Sequence, residues 1–408
     1  MNEKRRVRRL VFAALLIDTL GGGLLTPFEL VYALKVAHLS LTTAGLVLSL
    51  ASAGGIIIGP IAGAAVDRLG PARIVVLANA IGFAGCLSLL AWTNGWGYGL
   101  GAFLLGANLR VFWAAFTPLV AGIAAPAELE RWFGRLRGAR YIGIVSGEGL
   151  SGLAFLAGVH TGLRLLVIAN GLSFVAALSL VLAAASRSEA APVADGETRS
   201  RGYRPVLADR VNVALAALNV VATLLLIAPI LILPVFVLDH LHLPTWLPGL
   251  LAAFLTATAA GGLFFGARLI RGRRRLRNLQ IAAVLWALGC ATFLLAPVGV
   301  GLAYGALFAG AFLIGLGEAI YAPTADALPA ALAPVELRGR YAALHQMAWG
   351  ISESIAPTLT AAALADGNAT LWLTLTAIAA AGALAYRALE GPVGSRDGIA
   401  GVGLRVER

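Results

Sequence analysis

The sequence predicts an all-α integral membrane protein: twelve transmembrane helices, arranged as two pseudo-symmetric six-helix bundles around a central cavity, with both termini in the cytoplasm. Three observations predict it. Of 408 residues, 59% are hydrophobic and only 12% are charged, about half the charge of an ordinary soluble chain. The apolar residues gather into stretches of roughly 20 or more, the length a helix needs to cross about 30 Å of hydrocarbon. Basic residues fall on alternate connections, which sets the sidedness.

The first span runs from roughly 10 to 34 and follows the basic start EKRRVRR. No small-residue cleavage site lies behind it, so it reads as a span and not as a removable leader. The others follow at roughly 41–66, 73–94, 97–122, 138–160, 162–186, 207–238, 245–267, 278–298, 300–324, 339–364 and 368–389. Each must be a helix, because an open sheet edge has nothing to hydrogen-bond with in lipid.

A net charge of +11 raises the question of nucleic acid, and the distribution of that charge answers it. One set of connections holds Lys4 to Arg9, Arg68 and Arg73, Arg131 to Arg140, Arg187 to Arg210, Arg268 to Arg277, Arg338 and Arg340, and the tail arginines. The opposite set holds only Lys35 and Arg164. The charges are therefore topological: both termini are cytoplasmic, the number of spans is even, and no nucleic-acid partner is expected. RGRRRLR at 271–277 reads as an anchor for membrane lipid headgroups. Cys86 and Cys290 fall inside the third and ninth spans, which indicates neither a disulfide nor a metal pair. Two Lys against 29 Arg suggests a GC-rich genome and a prokaryotic plasma membrane.

The two halves echo each other. PAEL at 126–129 with LRGARY at 136–141 is repeated as PVEL at 334–337 running into LRGRY at 337–341, each copy joining a fourth span to a fifth. Parallel repeats of this kind are a transporter trait. The expected organisation is a first bundle at 1–186, a polar linker at 187–206, a second bundle at 207–390 and a disordered tail at 391–408.

Between the second and third spans lies GAAVDRLGPAR, residues 63–73. Gly63 would let a helix end approach its neighbour closely, and Gly70 would supply a turn with positive φ. Asp67 suits the positive end of another helix or a neighbouring Arg. The stretch closely resembles the G-x-x-x-D-R-x-G signature of the major facilitator superfamily: Gly63, Asp67, Arg68 and Gly70 match, while Pro71 and Ala72 stand before Arg73 where a basic pair is usual. The second-half counterpart, GARLIRGRRR at 266–275, keeps the glycine and the basic residues without the acid. The resemblance reaches to about residue 390. It implies a secondary transporter, a functional monomer, in which the loop of Gly63, Asp67, Arg68, Gly70 and Arg73 gates the cytoplasmic side and does not bind substrate.

Ionisable residues at membrane depth mark transport chemistry by default. Asp18 and Glu29 share the first span; eleven residues is about three turns, which would put both on one face roughly 16 Å apart. Gly21, Gly22, Gly23 and Pro27 lie between them and favour close packing or a bend. Arg110, mid-way along the fourth span, is too deep to snorkel and needs an internal partner. This arrangement resembles the drug:proton antiporter branch of the superfamily, although RVFWAAF keeps only the Arg of its R-x-x-Q-G pattern. GIVSGEG at 143–149 likewise has Glu148 where that branch's G-x-x-x-G-P has proline. By charge balance, a proton or a cationic substrate arriving at Asp18 or Glu29 would release its pairing with Arg110, the simplest rule for proton-coupled exchange.

The second half offers a lighter set. His345, Trp349 and Glu353 recur every four residues as one helical stripe, and Glu318 lies among glycines in the tenth span. Tyr141 and Glu148, seven apart, share a face of the fifth. A cavity lined by Tyr141, Glu148, Glu318, Trp349 and Glu353 would be acidic and aromatic, suited to an amphipathic cation.

Neither H-E-x-x-H, G-x-S-x-G, Cys/His metal spacing nor a phosphate-binding G-x-x-x-x-G-K-[ST] occurs, so the sequence gives no sign of an enzyme, an ATP-driven pump or a cofactor. The function expected is secondary active transport, proton-coupled efflux of a small lipophilic or amphipathic compound across the cell membrane. The alternative is a proton-coupled importer or uniporter of a small polar metabolite, and after it a non-transporting sensor or assembly factor.

Overall fold

Every apolar run is helical, and the places where the helices start, bend and stop follow from glycine, proline and capping residues. The structure is a computed structural model that describes residues 2–123, 128–185, 204–270, 274–334 and 337–400. The PAEL stretch up to Ala127, most of the expected linker and residues 401–408 lie outside the described residues, as do Val335 and Glu336. So do Arg271, Gly272 and Arg273 and the side chains of the 266–270 counterpart loop. Among the described residues there is no strand.

The first run forms α1 (Asn2–Leu25), a 3₁₀ turn (Thr26–Phe28) and α2 (Glu29–Lys35). Pro27 sits in the turn, where its missing N–H is tolerated. α3 (Leu41–Leu69) opens on Ser40, whose Oγ accepts from the Thr43 N–H at 3.2 Å. It ends at Gly70, whose φ of 84° turns the chain, and Pro71 opens α4 (Pro71–Ala91) as a preset first helical residue. Gly63 does not make the close approach expected of it, since a Cβ there would meet nothing within 4 Å. The glycine this turn requires is Gly70.

The first half continues as α5 (Gly95–Ile123), α6 (Leu129–Ala154) and α7 (Val159–Ala185). Then come α8 (Arg204–Ala208), α9 (Arg210–Val235) with a wide turn at Phe236–His240, α10 (Leu247–Ile270), α11 (Arg275–Phe293), α12 (Val300–Leu332), α13 (Arg338–Ala365) and α14 (Asn368–Ala400). α14 runs past the expected span end and through Ala400, so the segment read as a disordered tail begins as helix; extending a formed helix gains one hydrogen bond per residue fixed. Among the described residues, nine helical stretches are long and apolar enough to cross a membrane. α6, α10 and α13 fall outside that set, and α6 and α13 are the helices on which Arg140, Glu148, His345 and Glu353 sit.

Contacts divide the chain into two units: Met1–Glu197 with Leu231–Ala253, and Thr198–Ile230 with Phe254–Arg408. Leu231–Ala253, read from sequence as part of the second bundle, belongs with the first because glycines admit its backbone. A Cβ on Gly152 would stand 3.0 Å from Trp246 Cα, and one on Gly249 would stand 2.6 Å from the Glu148 carbonyl oxygen. Lys35 Nζ and Asp239 Oδ1 pair at 2.6 Å in the same unit. At the other end of α1, Arg8 bonds Glu128 Oε2 at 2.8 Å and lies over the Trp132 ring at 5.7 Å. An arginine read as purely topological therefore also ties α1 to the start of α6.

Within the first unit α6 packs on α1 through backbone. A Cβ on Gly143 would stand 2.8 Å from Leu16 O, one on Gly147 would stand 2.8 Å from Leu24 N, and one on Gly23 would stand 2.5 Å from Ile144 O. The contacts climb both helices together, so the two run parallel. Within the second unit α9 meets α13 through polar side chains. Asn219 Nδ2 donates to the His345 carbonyl at 3.0 Å, Thr223 Oγ1 and Ser352 Oγ share a bond of 2.7 Å, and Ser352 Oγ donates to Val220 O at 2.8 Å. Tyr321 of α12 donates its hydroxyl to Asn219 Oδ1, and Tyr341 donates to Asp209 Oδ2 at 2.9 Å.

Candidate functional site

The glycine contacts decide what stands beside Asp18. Gly143 is locked at the level of Leu16 to Leu20, the turn that carries Asp18, and Arg140 stands one turn earlier on the same face of α6. The charged group acting on Asp18 is accordingly Arg140. Asp18 Oδ1 is buried and has no hydrogen-bond partner among the described residues. The Arg140 guanidinium is exposed and lies 4.8 Å over the Trp113 ring of α5. Trp113 in turn meets Phe112 and Phe116 edge-on, at 5.4 and 5.9 Å. Three helices thus converge on an acid, a base and an aromatic platform.

Glu29 faces elsewhere. It lines a pocket of about 10 Å³, room for a single water, with Leu25, Tyr32, Leu89, Tyr98, Ala102 and Leu105. The Tyr98 hydroxyl there is buried without a hydrogen-bond partner among the described residues. The expectation that Asp18 and Glu29 share one helical face is therefore corrected. Three residues wound as 3₁₀ advance about 120° each where α-helix advances about 100°, which turns the remainder of the span by roughly 60°. Arg110 is half-buried with its stem against α3, Cγ standing 3.6 Å from a Cβ position on Gly55.

The other expected residues divide between the units. Tyr141 is half-buried and Glu148 is buried in the first; Glu318, Trp349 and Glu353 are half-buried in the second. His345, first of the expected stripe, turns into α9 and is buried. Its Nε2 lies 3.3 Å from Asn212 Oδ1, an acceptor only, so Nε2 carries the proton there. Asp67, Arg68 and Arg73 are exposed at the turn between α3 and α4.

Sequence reasoning missed Arg140, placing it among the topological arginines. One signal was available: Arg-Tyr recurs at 140–141 and 340–341, inside the start of a span in each half and not in the connection before it. The seam residues Asn219, Thr223, Tyr321 and Ser352 were missed as well, because one uncharged polar residue in an apolar run has no pattern to announce it.

Among the described residues, helices of membrane length with Asp18, Glu29 and Arg110 set within them define a multispanning membrane protein. The family model of the Major Facilitator Superfamily matches residues 11–357, and the chain belongs to that superfamily. A comparison with curated protein sequences gives no match. Among solved structures, a variant of the nucleoside transporter NupG superposes with a TM-score of 0.81 at 12% identity, covering 95% of this chain and 100% of that one. A POT family transporter in complex with a thioalcohol-conjugated peptide gives 0.77 at 12% identity, covering 95% and 96%. The peptide transporter POT in complex with sulfate gives 0.77 at 14%, covering 96% and 95%. At these identities the likeness is one of fold.

Proposed function

We propose that this protein is a proton-coupled secondary transporter of a small amphipathic compound, working by alternating access as a monomer in the plasma membrane. In this reading twelve spans place both termini in the cytoplasm. The observation that carries it is Asp18, a carboxylate with a buried, unsatisfied oxygen facing an arginine at membrane depth. Such an arrangement is costly to keep unless its protonation is used. Glu29, set in a water-sized pocket, and Arg110 are further candidates for proton handling. Tyr141, Glu148, Glu318, Trp349 and Glu353 are candidates for substrate contact. The loop from Gly63 to Arg73 is proposed to gate the cytoplasmic side.

Efflux in exchange for protons is the direction that the antiporter-like residues suggest. Uptake is the second reading, and two observations favour it: an arginine, Arg140, stands beside the acid Asp18 in the first unit, and the solved structures of similar fold include nucleoside and peptide transporters.

The test is purified protein in liposomes carrying a pH gradient, with a pH-sensitive dye inside and a panel of amphipathic compounds of either charge added outside. Compound-dependent proton movement that falls at least tenfold in Asp18→Asn, with the variant still monodisperse and inserted, supports the reading. Unchanged proton movement in that variant overturns the role of Asp18.

A further inference from the structure

The sequence reading suits the cavity to an amphipathic cation, because the residues expected to line it are acidic and aromatic. The structure changes that expectation. Arg140 lies exposed on the Trp113 ring at 4.8 Å and is the charged group that acts on Asp18, whose Oδ1 is buried without a hydrogen-bond partner among the described residues. We propose that Arg140 is the anchor for an anionic group, a carboxylate on an aromatic or otherwise apolar body, and that Asp18 is the internal anion which it displaces. This rests on the reading of the protein as a proton-coupled transporter and names the substrate class for it.

The argument is one of charge bookkeeping at depth. With Asp18 ionised, Asp18 and Arg140 sum to zero, and the empty site crosses between its states neutral. When Asp18 takes a proton, its hold on Arg140 is lost and the guanidinium is left with one positive charge. A monoanion then restores zero. Empty and loaded sites are both neutral only if one proton and one monoanion enter together, and a net charge at membrane depth costs several kcal/mol. A cation in the same place leaves the site at +1 beside ionised Asp18.

Geometry supports the same class. Guanidinium offers a planar fork that matches a carboxylate, and the half-buried Trp113 ring on which it lies, backed by the buried Phe112 and Phe116, gives an aromatic surface beside it for an apolar body. The groups around Asp18 leave this logic intact. Arg140 is the charged group acting on it from α6, α7 contributes the neutral Asn170 and Ser173 beside Gly21, and α5 approaches it with Trp113 under Arg140.

The consequence is symport. Proton and anion favour the same loaded state, so an inward proton gradient drives uptake.

The experiment measures equilibrium binding to the purified full-length protein, with no gradient present, so that it can fail independently of transport. The probes are benzoate, phenylacetate and indole-3-acetate, set against the neutral benzamide and the cation benzyltrimethylammonium, with thermal shift and intrinsic Trp fluorescence as readouts at pH 5.5 and 7.5. The expected result is binding of at least one carboxylate, at least tenfold tighter than benzamide at pH 5.5 and weaker at pH 7.5. Arg140→Gln abolishes it, Arg140→Lys keeps a weakened form, and Asp18→Asn makes it tight and independent of pH. The proposal is overturned if no carboxylate outbinds benzamide, if the cation binds better, or if folded Arg140→Gln binds carboxylate like wild type. Compound-driven proton movement in liposomes alongside any of those outcomes leaves proton-coupled transport standing and removes the anion.

Discussion

In the first unit α1 and α6 touch backbone to backbone at Gly23, Gly143 and Gly147. In the second unit α9 and α13, the same pair in the repeat, are joined by Asn219, Thr223, Ser352 and the backbone of His345. Two hundred residues after Gly143 and Gly147 stand Ala343 and Met347, so the two glycines that bring the first pair together have no counterpart at those positions in the second. The difference teaches where ionisable chemistry is tolerated. A seam closed by bare backbone needs no polar side chain to hold its two helices together, and Asp18 and Arg140 sit at such a seam. A seam closed by amides and hydroxyls uses those polar groups up as structure.

The comparison breaks most visibly at Gly147. A valine there drives its Cβ into the Leu20 carbonyl and to within 2.8 Å of Leu24 N, backbone atoms that have nowhere to go, so the helices must separate. Gly147→Val should cost about 3 kcal/mol or more, the upper part of the range for overpacking. It should lower the yield of folded, monodisperse protein and its unfolding temperature. Gly63→Val is the control, because nothing lies within 4 Å of that Cβ. Equal losses at the two glycines would show that helix propensity, and not the seam, sets the effect.

The polar seam should break more gently. Asn219 holds α9 to α12 and α13 at once, and an apolar replacement leaves the His345 carbonyl and the Tyr321 hydroxyl short of a partner. Interhelical hydrogen bonds in membranes average about 0.6 kcal/mol each, so Asn219→Leu should cost about 1–2 kcal/mol and Tyr321→Phe about 0.6 kcal/mol. Thermal or denaturant unfolding in detergent would rank them, and a double-mutant cycle should return a coupling near the smaller figure. A loss at Asn219 as large as that at Gly147 would erase the contrast between the seams.

What sequence made legible follows the same division. Composition and span length exposed the helices, since every apolar run of that length has one way to satisfy its backbone in lipid. The GAAVDRLG turn was readable down to Gly70, because a positive φ is a local demand on one residue. Asp18 and Glu29 could be found as acids at depth, yet their partners could not. The 3₁₀ turn at Thr26–Phe28 rotated Glu29 away from Asp18, and close glycine packing brought Arg140 up where Arg110 had been expected. Partnership across helices is set by register, and register depends on contacts that spacing along one chain does not contain.

The smallest effect tests how Leu231–Ala253 is held in the first unit. Two devices serve there: the pair of Lys35 with Asp239, and the glycine contacts at Gly152 and Gly249. The ion pair is short at 2.6 Å, but its side chains are 41% and 28% exposed, and water and salt screen exposed pairs to about 1 kcal/mol or less. Lys35→Ala and Asp239→Asn should each shift stability by no more than that, the coupling in their double mutant should shrink as salt is raised, and reversal of both charges should recover most of it. Gly249→Val should cost more than either, because its Cβ stands 2.6 Å from the Glu148 carbonyl oxygen and salt does not screen a steric clash. The segment is then held by shape, as α1 and α6 are, with the ion pair setting only its register. A coupling well above 1 kcal/mol that persists in high salt would reverse that order and make charge the stronger tie.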